Sequence, residues 1–168
     1  MKTKVSLAML LLILFGLGMG SCSKLPKGDK EIEEKLDGTW KATYYDTEYE
    51  DGEQLRMKMT ETITYDATTN TFETTIKAKL VSPMSINFFT LDADGKWSAD
   101  EKSLTEKYDV DGMELKFHTG LLDASDRKEM KKELLSEIDE KAVSEIREIT
   151  ENSFTVYDGE DEIVYHKQ

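Results

Sequence analysis

The sequence predicts a mainly β protein: one antiparallel up-and-down β-barrel with a single amphipathic helix near its C-terminal strands. Three observations lead there. Apolar residues recur with period two over most of the chain, as half-buried antiparallel strands require. Asp-Gly pairs punctuate these runs at 37–38, 51–52, 94–95, 111–112 and 158–159. Between alternating runs such pairs mark hairpins, because glycine accepts the positive φ of primed turns. Only the stretch 123–141 breaks the alternation. Strands that follow one another through tight turns close most simply into an up-and-down barrel.

In chain order, residues 1–21 form a leader. Lys2 and Lys4 make a basic start, Val5 to Leu17 an apolar run, and Gly18, Gly20 and Ser21 a small-residue exit, the three parts of a signal peptide. The apolar run is too short for a comfortable spanning helix of about 20 residues. Cys22, the only cysteine, stands directly after Gly-Ser where cleavage would fall. On these residues the leader resembles that of a bacterial lipoprotein precursor. The resemblance implies cleavage before Cys22, attachment of a diacylglycerol to its thiol, and acylation of the new N-terminus by a fatty acid such as palmitate. The membrane partner is then the lipid on Cys22. Ser23, in place of an aspartate, points to the outer membrane of the cell envelope, on either its periplasmic or its outer face. Residues 22–36 contain Pro26, Gly28 and alternating charges and read as a lipidated tether passing into a polar turn.

The barrel domain is expected over 37–168. Its clearest strand is Leu55–Tyr65, where the odd positions are apolar except for Glu61 and the even ones are polar throughout. Phe72, Thr74, Ile76, Ala78 and Leu80 alternate likewise, as do Leu104, Glu106, Tyr108 and Val110, and then Met113, Leu115 and Phe117. Strands are predicted near 39–49, 53–65, 71–82, 86–92, 96–99, 102–110, 113–119, 144–150, 153–158 and 162–166. Within 123–141, Met130, Leu134 and Ile138 recur every four residues with Leu135 beside them. That spacing makes a narrow apolar stripe, and Ser125 or Asp126 can cap the helix.

The opening Gly38-Thr39-Trp40 resembles the G-x-W start of lipocalin-like barrels, in which the first-strand tryptophan closes one end of the cavity. Lys167 stands on the last strand where that family usually places an arginine over the tryptophan. Length, acidity and lipid anchor are similar to those of the lipocalin-like lipoproteins of Bacteroidota envelopes. A lipocalin-like barrel implies a non-catalytic protein holding a small apolar or amphipathic ligand. The alternative is an envelope module with a solid barrel core that engages another protein.

Composition narrows the chemistry. The 168 residues carry 22 Lys+Arg and 35 Asp+Glu, a net charge of −13, which becomes −15 once Lys2 and Lys4 leave. Nucleic acid is excluded as a partner, since phosphate binding needs a basic face. Two histidines and one cysteine argue against a zinc site, and no cofactor is expected. Thr90 to Glu101 places Asp92, Asp94, Gly95 and Glu101 at calcium-loop spacing. Its first position lacks an acid, however, and a hairpin with Asp94-Gly95 at its tip is the preferred reading. Neither His118 nor His166 lies near a nucleophile motif, so no catalytic residue is assigned and the protein is not expected to be an enzyme.

The candidate ligand-binding residues are Trp40, Met57, Met59, Glu61, Phe72, Ile76, Tyr108 and Phe117. They would line an apolar chamber closed by Trp40 and entered from the opposite end. Glu61 on an apolar phase has two readings. It marks a bulge or strand end where that phase meets solvent, the preferred one, or it is a polar fixture inside the barrel. The leader reading has a direct check. Mass spectrometry of the mature N-terminus is expected to find acylated Cys22, and Cys22→Ala to release the protein from the membrane fraction; unchanged retention of the variant contradicts lipidation.

Overall fold

Alternation yields nine strands: β1 (Gly38–Glu50), β2 (Glu53–Asp66), β3 (Thr71–Ser82), β4 (Ile86–Ala99), β5 (Ser103–Tyr108), β6 (Glu114–Phe117), β7 (Lys141–Ile149), β8 (Ser153–Tyr157) and β9 (Glu162–Lys167). A computed structural model describes residues 24–50, 53–82, 84–120, 122–137 and 141–168. The leader, Cys22 and the Asp51-Gly52 pair lie outside the described residues, as do Ile138 and the side chain of Leu134.

All pairings are antiparallel. Eight strands close in the ring β1-β2-β3-β4-β5-β7-β8-β9, with β6 as an additional strand on β4. β5 and β6 both run along β4 and are separated by a 3-10 turn at Val110–Gly112. They behave as one interrupted strand. The wall is uneven. β1 to β4 have 12 to 14 residues, whereas β5, β8 and β9 have five or six. At about 3.3 Å per residue the first group stands at least twice as tall.

The end of the barrel at Gly38 is filled by side chains. Trp40 and Trp97 are fully buried there with Leu36, Phe72 and Phe154. The Trp40 indole N–H donates to the Leu36 carbonyl at 2.7 Å, its ring meets Phe154 edge-on at 4.9 Å, and the Lys167 ammonium sits 5.2 Å above it. The lysine thus occupies the place over Trp40 anticipated from the sequence.

Four expectations change. The polar turn within 22–36 is a helix from Lys30 to Leu36, α1. Asp29 caps it by accepting from the Glu31 N–H at 2.9 Å, and Ile32 and Leu36, four apart, face the core. Helix α2 spans Ala124–Glu137, shorter than 123–141. Its N-terminal amides at Ser125 and Asp126 donate to Asp123, which is the cap in place of Ser125 or Asp126. Of its apolar stripe, Met130 is buried and Leu135 packs partly against the core. Strand β7 starts at Lys141, three residues before the expected 144.

The fourth change is the largest. The strands expected at 86–92 and 96–99 are one, and Asp94-Gly95 is no hairpin tip. β4 pairs without a break from Leu91 to Lys96 against Ile76 to Thr71. Glycine is needed at 95 for space: a Cβ there would run into the Lys107 carbonyl oxygen and approach the Phe72 ring at 2.9 Å. The register shift in β4 lies elsewhere, at Phe88 opposite Ala78 and Lys79, so that neighbouring Phe88 and Phe89 are both buried. Overpacking of this kind costs about 1–3 kcal/mol. Gly95→Val is therefore expected to lower the urea midpoint by an amount equivalent to about 2 kcal/mol, whereas an exposed turn would leave it unchanged.

Candidate functional site

Two carboxylates stand on the inward phase of the barrel. Glu61 lies mid-strand in β2, paired with Ala42 of β1 and Ile76 of β3, and is buried. The register shift of β2 falls at Arg56/Met57, so the bulge reading of Glu61 is corrected: it is a polar fixture inside the barrel. Glu106 occupies the inward phase of β5, opposite Trp97.

Each carboxylate is held by two hydroxyl donors. Thr74 Oγ1 donates to Glu61 Oε1 at 3.0 Å and the Tyr165 hydroxyl to Oε2 at 2.6 Å. The Tyr65 hydroxyl donates to Glu106 Oε1 at 2.5 Å and the Tyr108 hydroxyl to Oε2 at 3.3 Å. Burying an ionised group without such partners is prohibitive. Even with them, desolvation raises Glu61 above its ordinary range, opposed by the bonds from Tyr165 and Thr74. Glu106 is pushed up to about 7, chiefly by desolvation and also by the charge of Glu61, against the bond from Tyr65. The phenols of Tyr65, Tyr108 and Tyr165 are all held well above their ordinary values, first by burial and then by these acids. They remain neutral donors.

Between the two carboxylates lies a cavity of about 60 Å³. Tyr44, Tyr65, Tyr108 and Tyr165 line it with Glu61 and Glu106. Ile76, Leu104, Val156 and Ile163 supply apolar wall, while Ala142, Ser144 and Asp158 border it from β7 and the end of β8. A depression of about 320 Å³ bordered by β7, the end of β8 and Lys102 is larger and shares Ser144 and Asp158 with this cavity, but none of its lining residues is buried. The interior cavity is the candidate site.

Of the eight residues selected from the sequence, the fold brings Glu61, Ile76 and Tyr108 to this cavity. Trp40 seals the packed end, and Phe72 lies beside the cavity wall, edge-on to Tyr108 at 5.0 Å. Met57 and Met59 are buried farther along β2. Phe117 packs against Phe88 and Phe89 at 6.3 and 6.4 Å. These five do not line the cavity, which is smaller and more polar than the expected apolar chamber. The reason is that large side chains fill the rest of the interior. Glu106 carried the same signal as Glu61, an acid on an inward phase, and Tyr65 stood on the inward phase of β2. Tyr44 and Tyr165 had no signal that set them apart from neighbouring strand residues. His118 is exposed, as expected, and contacts Thr90 Oγ1 at 2.8 Å. No protein-family model matches the chain, and no curated protein matches it either.

The raised value of Glu106 has a defined sign. The folded protein binds this proton more tightly than an ordinary carboxyl does, so the contribution favours folding at low pH. It is lost as pH rises from about 4.5 to about 7. Glutamine mimics the neutral acid. Relative to wild type, Glu106→Gln is therefore expected to gain stability between about pH 5 and pH 8, on the order of 2 kcal/mol. Melting curves at the two pH values check this, and a constant difference contradicts it.

Proposed function

We propose that this chain is a non-catalytic, lipid-anchored protein of the bacterial envelope that holds a small amphipathic molecule inside its barrel. The anchor is the acylated Cys22 of a processed lipoprotein, at the outer membrane, and the relatives are the lipocalin-like lipoproteins. The leader, the G-x-W opening and the barrel with Lys167 over Trp40 support that kinship.

One observation carries the binding reading: a cavity within the barrel, walled by apolar side chains on one part and by tyrosine hydroxyls and carboxylates on another. Binding pockets combine apolar walls with a few placed polar groups. Polar groups bordering a small hollow in an otherwise packed interior suit the polar end of a ligand. The two acids add to this reading, since a core that served packing alone is often more stable without them.

The test is titration of the mature protein with an uncharged, environment-sensitive dye whose short, polar-ended arm is small enough to enter the cavity. Saturable binding is expected, with Ala142→Phe reducing affinity at least about tenfold by filling the cavity while the melting curve stays cooperative. Absence of saturable binding, or binding indifferent to Ala142→Phe, overturns the assignment.

A further inference from the structure

We propose that the barrel cavity is a site for the ammonium head of a small organic amine, seated between Glu61 and Glu106 and ringed by four tyrosines. This deepens the small-molecule reading above and rests on it.

The first support is the charge of the lining. Two carboxylates face the cavity with Asp158 at its border, and no lysine, arginine or histidine lies among the lining residues. The second is hydrogen-bonding capacity. Thr74, Tyr65, Tyr108 and Tyr165 spend their hydroxyl protons on the carboxylates, and what the site then presents is mostly oxygen lone pairs. An ammonium group has three N–H donors and no acceptor, which matches such a surface better than an anion does, and the hydroxyl oxygens of Tyr44 and Ser144 in the lining can also accept from it. The third support is Tyr44. It lines the cavity from β1, burial drives its phenol far above the ordinary range, and its hydroxyl meets no hydrogen-bond partner among the described residues.

A metal ion fits less well. Among the described residues no three His, Cys, Asp or Glu side chains come together to hold one, and much of the wall is hydrocarbon. The volume, about 60 Å³, admits a head group and not a whole chain. Val156 and Ile163, paired across β8 and β9, offer apolar contact to the carbon next to it.

Binding a cation here favours the ionised forms of Glu61 and Glu106, so each amine bound displaces protons from them. The other titratable groups facing the cavity are Tyr44 (β1), Tyr65 (β2), Tyr108 (β5), Tyr165 (β9) and Asp158 (after β8); β3, β4 and β7 contribute none. All four phenols are held above their ordinary values and stay protonated throughout. Affinity for an amine that stays protonated over this range, as a primary alkylamine does, therefore rises with pH as the carboxyls titrate.

The experiment is calorimetric titration of the mature protein in nonionic detergent with butylammonium chloride, 1-butanol and sodium butyrate, each against a detergent blank. The uncharged dye serves as competitor. Butylammonium is expected to bind saturably and displace the dye, more tightly at about pH 8 than at about pH 5, with protons released. Affinity is expected to fall at least about tenfold in Glu61→Gln and in Glu106→Gln. Equal binding of 1-butanol, or amine binding unchanged in both folded variants, overturns the inference. Should either variant fail to fold, the amine–alcohol comparison and the pH dependence of wild type decide the matter. Dye binding without amine binding defeats the amine site and leaves the small-molecule reading standing; failure of every probe defeats both.

Discussion

A sheet can close on itself only where its first and last strands meet, and here they meet over two residue pairs, Trp40 with Lys167 and Lys41 with His166. The β1–β2 ladder, by contrast, runs for thirteen. So short a seam cannot hold through backbone bonds alone, and side chains do the rest. Trp40 ties α1 to β8 and β9 through Leu36, Phe154 and Lys167. The Gln168 N–H adds one backbone bond to the Thr39 carbonyl at 3.0 Å. Higher in the barrel the Tyr165 hydroxyl reaches from β9 past β1 to Glu61 on β2. That last contact is both a clasp across the seam and a wall of the cavity, so closure and site geometry cannot be varied separately.

The same coupling explains why the interior tolerates two acids. A barrel filled wholly by Leu, Ile and Phe would be the more stable solution, because buried carboxylates pay a desolvation cost that hydroxyl partners only partly offset. Here the two acids face one hollow, and Tyr65 packs its ring 4.6 Å from Trp97 and 6.2 Å from Phe72. Aromatic packing fixes Tyr65, and Tyr65 in turn fixes Glu106. The acids are thus held by rigid neighbours on separate strands, which is what a preorganised site needs.

Much of this architecture is legible in the sequence, because a period of two leaves little freedom. Leu55–Tyr65 declares its inward face residue by residue, and Met57, Met59, Ile63 and Tyr65 are all buried as that face requires. Legibility fails where a local signal competes with tertiary packing. Asp94-Gly95 has turn chemistry, but β3 and β5 hold both sides of the strand straight, and glycine is there for clearance. Lys30–Leu36 is too short and too charged to read as a core element, yet Leu36 is completely buried. The site was half visible. An acid on an inward phase marks a polar interior at Glu61 and, by the same rule, at Glu106; that the two would face one hollow depends on closure, and no strand taken singly carries that information.

The first strand of the barrel starts, and its last strand ends, at the same rim. α1 leads into β1 beside Trp40, and Lys167 and Gln168 end β9 there. Asp158 and Ile163, which border the hollow, lie at the ends of β8 and β9 away from that rim. Seven residue steps separate Cys22 from the cap of α1 at Asp29, a leash of at most about 25 Å when fully extended. With lipid on Cys22, as proposed, the tryptophan-sealed floor hangs toward the bilayer and the opposite rim looks away from it. On that proposal a cargo would arrive from the aqueous compartment rather than sideways out of the lipid, as into a moored cup with its rim upward.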